Sequence, residues 1–488
     1  MSYITYFTYQ PAAGYEQGAL GVSFPPQMDM PGGDRREEFH RLPRERIDTC
    51  LALHREGRHE EAIAQLETLI EEFPSNALLH NILGALLAET GALTMAIDHF
   101  ERAVAIKPNF VEAHNNLGLT QFKLGQVGAC IESYEAALVI SPDFAEAHAN
   151  LGATLAGMRQ WSSAIKCYER ALRLEPGMAA VHEGLAAALH ELGDAQSALE
   201  SYNQAAACYS RGGDPVSAVR CYTAVVGPRS DLWHAHHFLG VNLALLGRYE
   251  EAADSLREAL RLNPNSEAAA FRLRALTGEP ETSAPPAVIR DIFDAYAERF
   301  DHHLADKLGY DASGLLRLAL EGGKLNDRRF ARAIDIGCGT GLAGNILRER
   351  CDTLIGIDLS ERMLAKANAR DCYDELHCQD VVQHLRIESL QFDLFVALDV
   401  FVYLGALDQV FEAIAASALR SARVIFTTEE RSGDGFGLDR SARFSHARDY
   451  VAHAADEAGL AIDFYDNTRL RKERGEWVIA GLYVMRMK

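Results

Sequence analysis

The chain has 488 residues, a net charge of −21 at pH 7, and 48% hydrophobic and 24% charged residues. That length exceeds one ordinary core of about 100–200 residues, so two or more folded units are expected. The composition is that of a soluble globular protein without a membrane span, and the acidic balance argues against a general nucleic-acid surface, which needs clustered lysine and arginine.

The nine cysteines show neither a C-x-x-C pair nor zinc-like spacing, which reads as reduced thiols in a cytoplasmic chain. Residues 1–42 lack the basic start, apolar centre and small-residue cleavage site of a secretory signal. Their Pro, Gly and Tyr content predicts a flexible arm. "YITYFTY" is rich in strand formers, so pairing with an edge or with a second subunit is the alternative.

From residue 43 to 278 the pattern is helical and periodic. A step of 34 residues superposes Gly84, Gly118 and Gly152, then Ala103, Ala137 and Ala171, then Pro108, Pro142 and Pro176. Each unit predicts two helices that cross closely at small residues, with a proline ending the second. "AHNNLGLTQFKLGQVGACIESYEAALVISPD" and "AHANLGATLAGMRQWSSAIKCYERALRLEPG" resemble the tetratricopeptide repeat family.

The first unit is weaker, with Cys50 at the glycine position, as suits a terminal repeat. The register slips after Ala179. The last good repeat starts at Trp233, which leaves one helix over around "ESYNQAAACYSRGGDPVSAVRCYTAVV".

Stacked repeats form a concave face suited to an extended peptide or a partner helix. Asn116 and Asn150, one period apart, predict a two-rung ladder able to bond a peptide backbone, similar to that of the O-GlcNAc transferase repeats. The alternative is a pair of solvated polar positions. A homodimer through the repeats or the N-terminal arm is the candidate assembly. His234, His236 and His237, and the adjacent His302 and His303, lack the i, i+4 spacing of a helical metal site and read as core or surface residues.

"EPETSAPPA", residues 279–287, reads as a polar linker. A second domain, residues 288–488, follows. "VIRDIFDAYAERFDHHLADKLGY" predicts an amphipathic leading helix, and then strands alternate with helices: "ARAIDIGCG", "TLIGIDLS", "LHCQD", "FDLFVALDVF" and "ARVIFTTEE". This is the pattern of an α/β doubly wound parallel sheet, whose ligand sits at the carboxyl ends of the strands.

The glycine loop after the first strand brings backbone close to that ligand. Gly339, Gly341 and Gly344 alone spell a dinucleotide fingerprint. Three carboxylates favour S-adenosylmethionine instead. Asp335, preceding Gly337, Gly339 and Gly341, can face the ammonium group. Asp358 ends strand two and can accept from both ribose hydroxyls. Asp380 ends strand three and can meet the adenine amino group. A terminal hairpin in "GLAIDFYDNTRLRKERGEWVIAGLYVMR" adds an antiparallel finish.

On these motifs residues 288–488 resemble class I S-adenosylmethionine-dependent methyltransferases, and the chain resembles predicted methyltransferases that carry tetratricopeptide repeats. The resemblance implies that Met363 flanks the adenine and that the Val381 backbone reads its edge. Cys338 in the loop, Leu359 after Asp358, and Leu398 complete the expected cofactor lining, and Tyr296, His303 and Tyr310 are candidates for a lid.

Methyl transfer from an activated sulfonium needs mainly alignment, exclusion of water and removal of a proton. The catalytic candidates are Asp399 and Tyr403 after strand four and His446 as general base, with Arg443 as an anion anchor. A loop histidine bonded to backbone is the alternative for His446. The chain lacks N-P-P-Y and an evident metal pair, so metal-independent transfer is the simpler case. Two functions fit: an active enzyme whose repeats recruit a peptide, protein or carrier-bound acceptor, and a repeat scaffold carrying a cofactor-sensing or inert domain.

Overall fold

The computed structural model describes residues 44–227, 231–302, 308–387, 391–473 and 476–488. The N-terminal arm and His303 lie outside the described residues. The chain divides into two compact units between Asp231 and Leu232.

The first unit is helical. Its pairs are α1 (Arg44–Arg55) with α2 (His59–Glu72), α3 (Ala77–Glu89) with α4 (Leu93–Ile106), α5 (Val111–Lys123) with α6 (Val127–Ile140), α7 (Ala145–Gly157) with α8 (Trp161–Leu174), and α9 (Ala179–Glu191) with α10 (Ala195–Gly212). The repeated glycine exists because an aromatic ring sits on it. A Cβ on Gly84 would come within 2.8 Å of Phe100, one on Gly118 within 2.7 Å of Tyr134, and one on Gly152 within 2.9 Å of Tyr168. In the first pair Leu66 occupies the aromatic position, and Cys50 fits there, fully buried.

The repeated proline has a partner too. His114, His148 and His182 each donate an Nε2 hydrogen to the carbonyl of Pro108, Pro142 or Pro176, at 3.0, 2.9 and 3.0 Å, tying each first helix to the preceding turn. The helix left over in the sequence register is α11 (Pro215–Val226), packed on a lengthened α10. The unit boundary falls just after it.

The second unit opens with the last repeat, α12 (Trp233–Leu245) and α13 (Tyr249–Leu262), followed by α14 (Glu267–Thr277). The polar connector beyond α14 is held against the domain that follows. Ser283 bridges Leu404, the Ala284 N–H donates to the Tyr403 carbonyl at 2.9 Å, and the Gly405 and Ala406 N–H groups both donate to the Thr282 carbonyl at 2.9 Å. Phe271 and Ala275 of α14 share a buried cluster with Ala284, Val288, Ile289, Ala442 and Phe444. The leading helix is shorter than the sequence pattern, running as α15 (Pro286–Tyr296), a 3-10 turn and α16 (Phe300–His302).

After α17 (Ala312–Gly322) come β1 (Phe330–Ile336), α18 (Gly344–Arg350), β2 (Cys351–Asp358), α19 (Glu361–Asn368), β3 (Glu375–Cys378), α20 (Val381–Leu385), β4 (Phe392–Ala397), α21 (Asp408–Ser417) and β5 (Ala418–Glu430). The chain ends with β6 (Phe436–Leu438), β7 (Phe444–His446), α22 (Arg448–Glu457), β8 (Leu460–Glu473) and β9 (Glu476–Met487).

The described strands make one sheet in the order β3-β2-β1-β4-β5-β7-β6, with β9 antiparallel to β5 and β8 antiparallel to β9. Residues alternate between two covered faces, as a sheet with helices on both sides requires. Ile334, Ile336, Phe395 and Phe426 enter one core, and Ala333, Leu394, Val396 and Ile425 the other. The strand order reverses between β1 and β4, which opens a crevice at their carboxyl ends.

Candidate functional site

That crevice holds a cavity of about 880 Å³, within the roughly 300–1,000 Å³ of small-molecule and cofactor sites. The turn after β1 runs through Gly337 (φ 61°), Gly339 (φ 55°) and Gly341 (φ 84°), left-handed conformations that disfavour side chains. At Gly337 a Cβ would also meet Val400 Cγ2 at 2.6 Å. Gly337, Cys338 and Gly339 line the cavity. Gly341 does not, because it faces Tyr373 and Arg370, where a Cβ would come to 3.0 and 3.2 Å.

All three carboxylates reach the cavity, together with Leu359 and Val381. Asp335 is buried, accepts a 2.7 Å hydrogen bond from the Tyr373 hydroxyl, and has its pKa pushed up to about 7 by burial, with the Asp358 charge adding to the rise. Asp358 accepts from the Gly339 and Ser360 N–H groups, each at 2.9 Å, which fixes the glycine loop to the end of β2. Burial raises its pKa as well. Asp380 caps α20 through the Gln383 N–H at 3.0 Å. Among the described residues no cation pairs with any of the three.

Met363 does not reach the cavity: it is fully buried in α19, on the inner side of the turn closed by Ser360. Leu359, two residues before α19, does line the cavity.

The leading segment lies over this end. Tyr296, Phe293, Phe300 and Tyr310 line the cavity. Acidic residues tie the segment down: Asp294 to the Ser360 hydroxyl, Glu298 to Lys366 at 2.9 Å, and Asp301 to Arg370 at 2.6 Å.

Beyond β4, Leu398, Asp399, Tyr403 and Arg443 line the other end. Asp399 stands at φ 58°, a strained conformation for a residue with a side chain, with its N–H on the Thr427 hydroxyl at 2.8 Å. Its Oδ1 accepts from Arg471 at 2.7 Å, and the same buried guanidinium bonds Glu429. Arg443 Nη1 approaches Glu429 Oε1 at 3.7 Å, and Tyr403 is hydrogen-bonded to Arg443.

His446 is corrected as a base. The ring is fully buried, its Nε2 donates to the Leu404 and Gly405 carbonyls at 2.8 and 3.1 Å, and burial pushes its pKa down to about 4. It does not line the cavity. Its role is to hold the loop that carries Tyr403.

Arg471 was not legible in the sequence. In "RLRKE" it reads as one more solvated charge of a hairpin, but a register shift between Arg469 and Arg471 turns it inward. In the repeats, Asn116 and Asn150 each have a side-chain partner one repeat back. Asn116 donates to Asn81 at 3.1 Å and Asn150 to Asn115 at 3.0 Å, so their N–H groups link neighbouring repeats.

Residues 334–423 match the family model of a methyltransferase domain, and residues 84–125, 122–158, 149–213 and 233–266 match tetratricopeptide repeat models. The chain carries a methyltransferase domain and tetratricopeptide repeats. A similar protein is an 18S rRNA (guanine-N(7))-methyltransferase of Arabidopsis thaliana, 26% identical over 212 residues, which make up 41% of this chain and 68% of that one. A malonyl-[acyl-carrier protein] O-methyltransferase of Enterobacter lignolyticus is 37% identical over 71 residues, 14% of this chain and 28% of that one. Among solved structures, MamA from Desulfovibrio magneticus is 22% identical, with 34% of this chain and 94% of that one aligned at a TM-score of 0.32. Among the described residues, no helix of this chain is long and apolar enough to cross a membrane.

Proposed function

We propose that this protein transfers a methyl group from S-adenosylmethionine to an acceptor borne on a peptide, a protein or a carrier, which the repeats recruit in the cytoplasm. The observation that carries the cofactor reading is one cavity lined by three carboxylates, to which no cation is paired among the described residues. Asp335 suits an ammonium group, Asp358 a ribose diol and Asp380 an amino group on the adenine. Gly337, Cys338 and Gly339 supply backbone where a side chain would block approach.

When bound, S-adenosylmethionine supplies an activated methyl group. The chain's own part is to orient and to keep the site dry: Tyr296, Phe293, Phe300 and Tyr310 close the cofactor end with aromatic surface. At the acceptor end Arg471 fixes Asp399, and Arg443 fixes the Tyr403 hydroxyl, whose pKa burial raises. Tyr403 therefore stays protonated near neutral pH and acts as a hydrogen-bond donor to the acceptor.

A net charge of −21 favours a protein-borne acceptor over RNA, although relatives include rRNA methyltransferases. Tethering raises the effective concentration of a large acceptor and does little for a small diffusible one. Calorimetry with S-adenosylmethionine, followed by a labelled-methyl assay on host lysate with and without RNase, tests the proposal. Absence of cofactor binding would sink the enzyme reading in favour of a scaffold, and labelled product that disappears with RNase would sink the protein acceptor.

A further inference from the structure

Part of the cavity has no use in binding the cofactor. Three stretches wall it: residues 282–293 of the connector and α15, residues 381–386 of α20, and residues 404–410 leading into α21. Ala284, Ile289 and Phe293 belong to one buried cluster, with Tyr403 packed against it. Val382 and Leu404 pack against another, which contains Val410. All of these line the cavity, and Phe293 meets Tyr403 edge-on with ring centroids 5.6 Å apart, so this lobe adjoins the acceptor end. At about 880 Å³ the cavity stands near the upper end of the range for one ligand, which leaves room for a second.

The lobe has little to offer a polar occupant. The Ala284 N–H is spent on the Tyr403 carbonyl, and the Gly405 and Ala406 N–H groups on the Thr282 carbonyl, each at 2.9 Å. No carboxylate of the three stretches lines the cavity, and the neutral polar residues that do, Thr282, Ser283, Gln383 and Gln409, are all exposed. A peptide backbone lodged among the valines and leucines would leave its own N–H and C=O groups unpaired. A hydrocarbon chain has none to lose, and gains about fourfold in affinity for each methylene it buries fully.

One charge stands in the lobe. Arg386 lines it and is exposed, and among the described residues its guanidinium makes neither an ion pair nor a hydrogen bond. An exposed guanidinium beside an apolar passage suits an anion that stays in water while the chain attached to it runs inward.

Resting on the methyltransferase reading above, we propose that the acceptor is an acyl or alkyl chain whose polar inner end meets Tyr403, whose hydrocarbon lies between α15 and α20–α21, and whose outer end carries an anion at Arg386. Of the peptide, protein and carrier named there, this selects a carrier that bears such a chain.

The test uses the full chain saturated with S-adenosylhomocysteine, whose binding is measured first. Butyl, hexyl and octyl phosphate, octanoate, 1-octanol and a capped leucyl-leucine peptide are then titrated, with binding read by ligand-observed NMR. Affinity should climb at least twofold per methylene from butyl to octyl phosphate, and both octyl phosphate and octanoate should bind more tightly than 1-octanol and the peptide. Ile292→Glu, at a cavity-lining position that is 37% exposed, should weaken octyl phosphate at least tenfold. Arg386→Gln should weaken octyl phosphate and octanoate at least threefold and leave 1-octanol unchanged. Neither change should move S-adenosylhomocysteine affinity or the melting temperature, because both side chains are exposed.

Affinity independent of chain length, a peptide that binds as tightly as octyl phosphate, or an Ile292→Glu protein that binds like the parent would each overturn the hydrocarbon assignment. An Arg386→Gln protein that loses 1-octanol and octyl phosphate equally, or loses neither, would overturn the anion at the rim. A variant with weakened S-adenosylhomocysteine affinity would place the lobe inside the cofactor site and overturn the proposal. Each of these leaves the methyltransferase reading standing, whereas failure of the parent chain to bind S-adenosylhomocysteine would overturn both.

Discussion

Asp335 makes cofactor binding depend on pH in a direction that can be worked out from its surroundings. Burial raises its pKa from 3.8 to about 7, so near neutrality the empty site holds a carboxyl group that is about half protonated. A cationic ammonium group is complementary to the ionised form only. Apparent affinity therefore scales with the ionised fraction, which is roughly one part in eleven at pH 6 and one half at pH 7. Affinity should rise about fivefold over that interval and about tenfold per unit below it. It should fall again above roughly pH 8, where an α-amino group loses its charge.

Calorimetry in buffers of different ionisation enthalpy should show up to one proton released on binding near pH 6. The linkage to folding has the opposite sense. A carboxyl with a raised folded-state pKa contributes stability that is fully present below about pH 4 and is lost as pH rises through 7. The total for Asp335 is on the order of 4 kcal/mol. Asp335→Asn should remove that slope and melt at a higher temperature than the parent at pH 7, while binding cofactor more weakly. Affinity that is flat from pH 5.5 to 7.5 with no proton exchange would refute the pairing of Asp335 with an ammonium group.

Three further outcomes follow from the packing. Gly337→Ala meets both a φ of 61° and Val400 Cγ2 at 2.6 Å, so cofactor affinity should drop at least tenfold, and a second change, Val400→Ala, should recover part of it. Asn116→Ala leaves the buried Asn81 oxygen without its partner, which should lower repeat stability by about 1–3 kcal/mol in urea unfolding without moving cofactor affinity. A fragment starting at Leu232 should stay monomeric and bind cofactor, whereas one starting at Ala287 should aggregate in sedimentation, because it lacks Phe271, which is 2% exposed, and Ala275. Phe271→Ala in the full chain carries the same reasoning, at about 3–5 kcal/mol.

The parts of this protein that could be read from sequence are those governed by periodicity. The step of 34 residues located the helix pairs because each glycine must admit an aromatic ring, and the strands announced themselves as short apolar runs ending in acids. What escaped depends on contacts far apart in the chain. The inward turn of Arg471 is created by a register shift in β8, and "RLRKE" carries no trace of it. His446 looked like a base because a loop histidine near strand five has the right chemistry, and only the carbonyls of Leu404 and Gly405 reveal what it does instead. Met363, expected at the adenine from the family resemblance, is fully buried instead, and a resemblance does not report how deep a side chain lies in this chain. The strands β6 and β7, three residues each, are too short to produce an alternating pattern.

The polar connector misleads in an instructive way. Residues 279–287 look like a hinge because they are poor in apolar side chains, yet what fixes them is backbone pairing of Thr282 and Ala284 with residues 403–406. Backbone hydrogen bonds need no particular side chain, so composition cannot report them. The break in the repeat period carries the better boundary signal. A helix pair cannot bury its apolar faces alone, and the extra helix α11 ends one unit just before α12 begins the next. The last repeat then solves its burial problem against the sheet domain, through α14, Phe271 and Phe444. A repeat recruited in this way ceases to be only a spacer. It backs the connector whose Thr282 and Ala284 pair with residues 403–406, so a change of sequence in α14 can shift the loop that carries Tyr403 without touching the glycine turn.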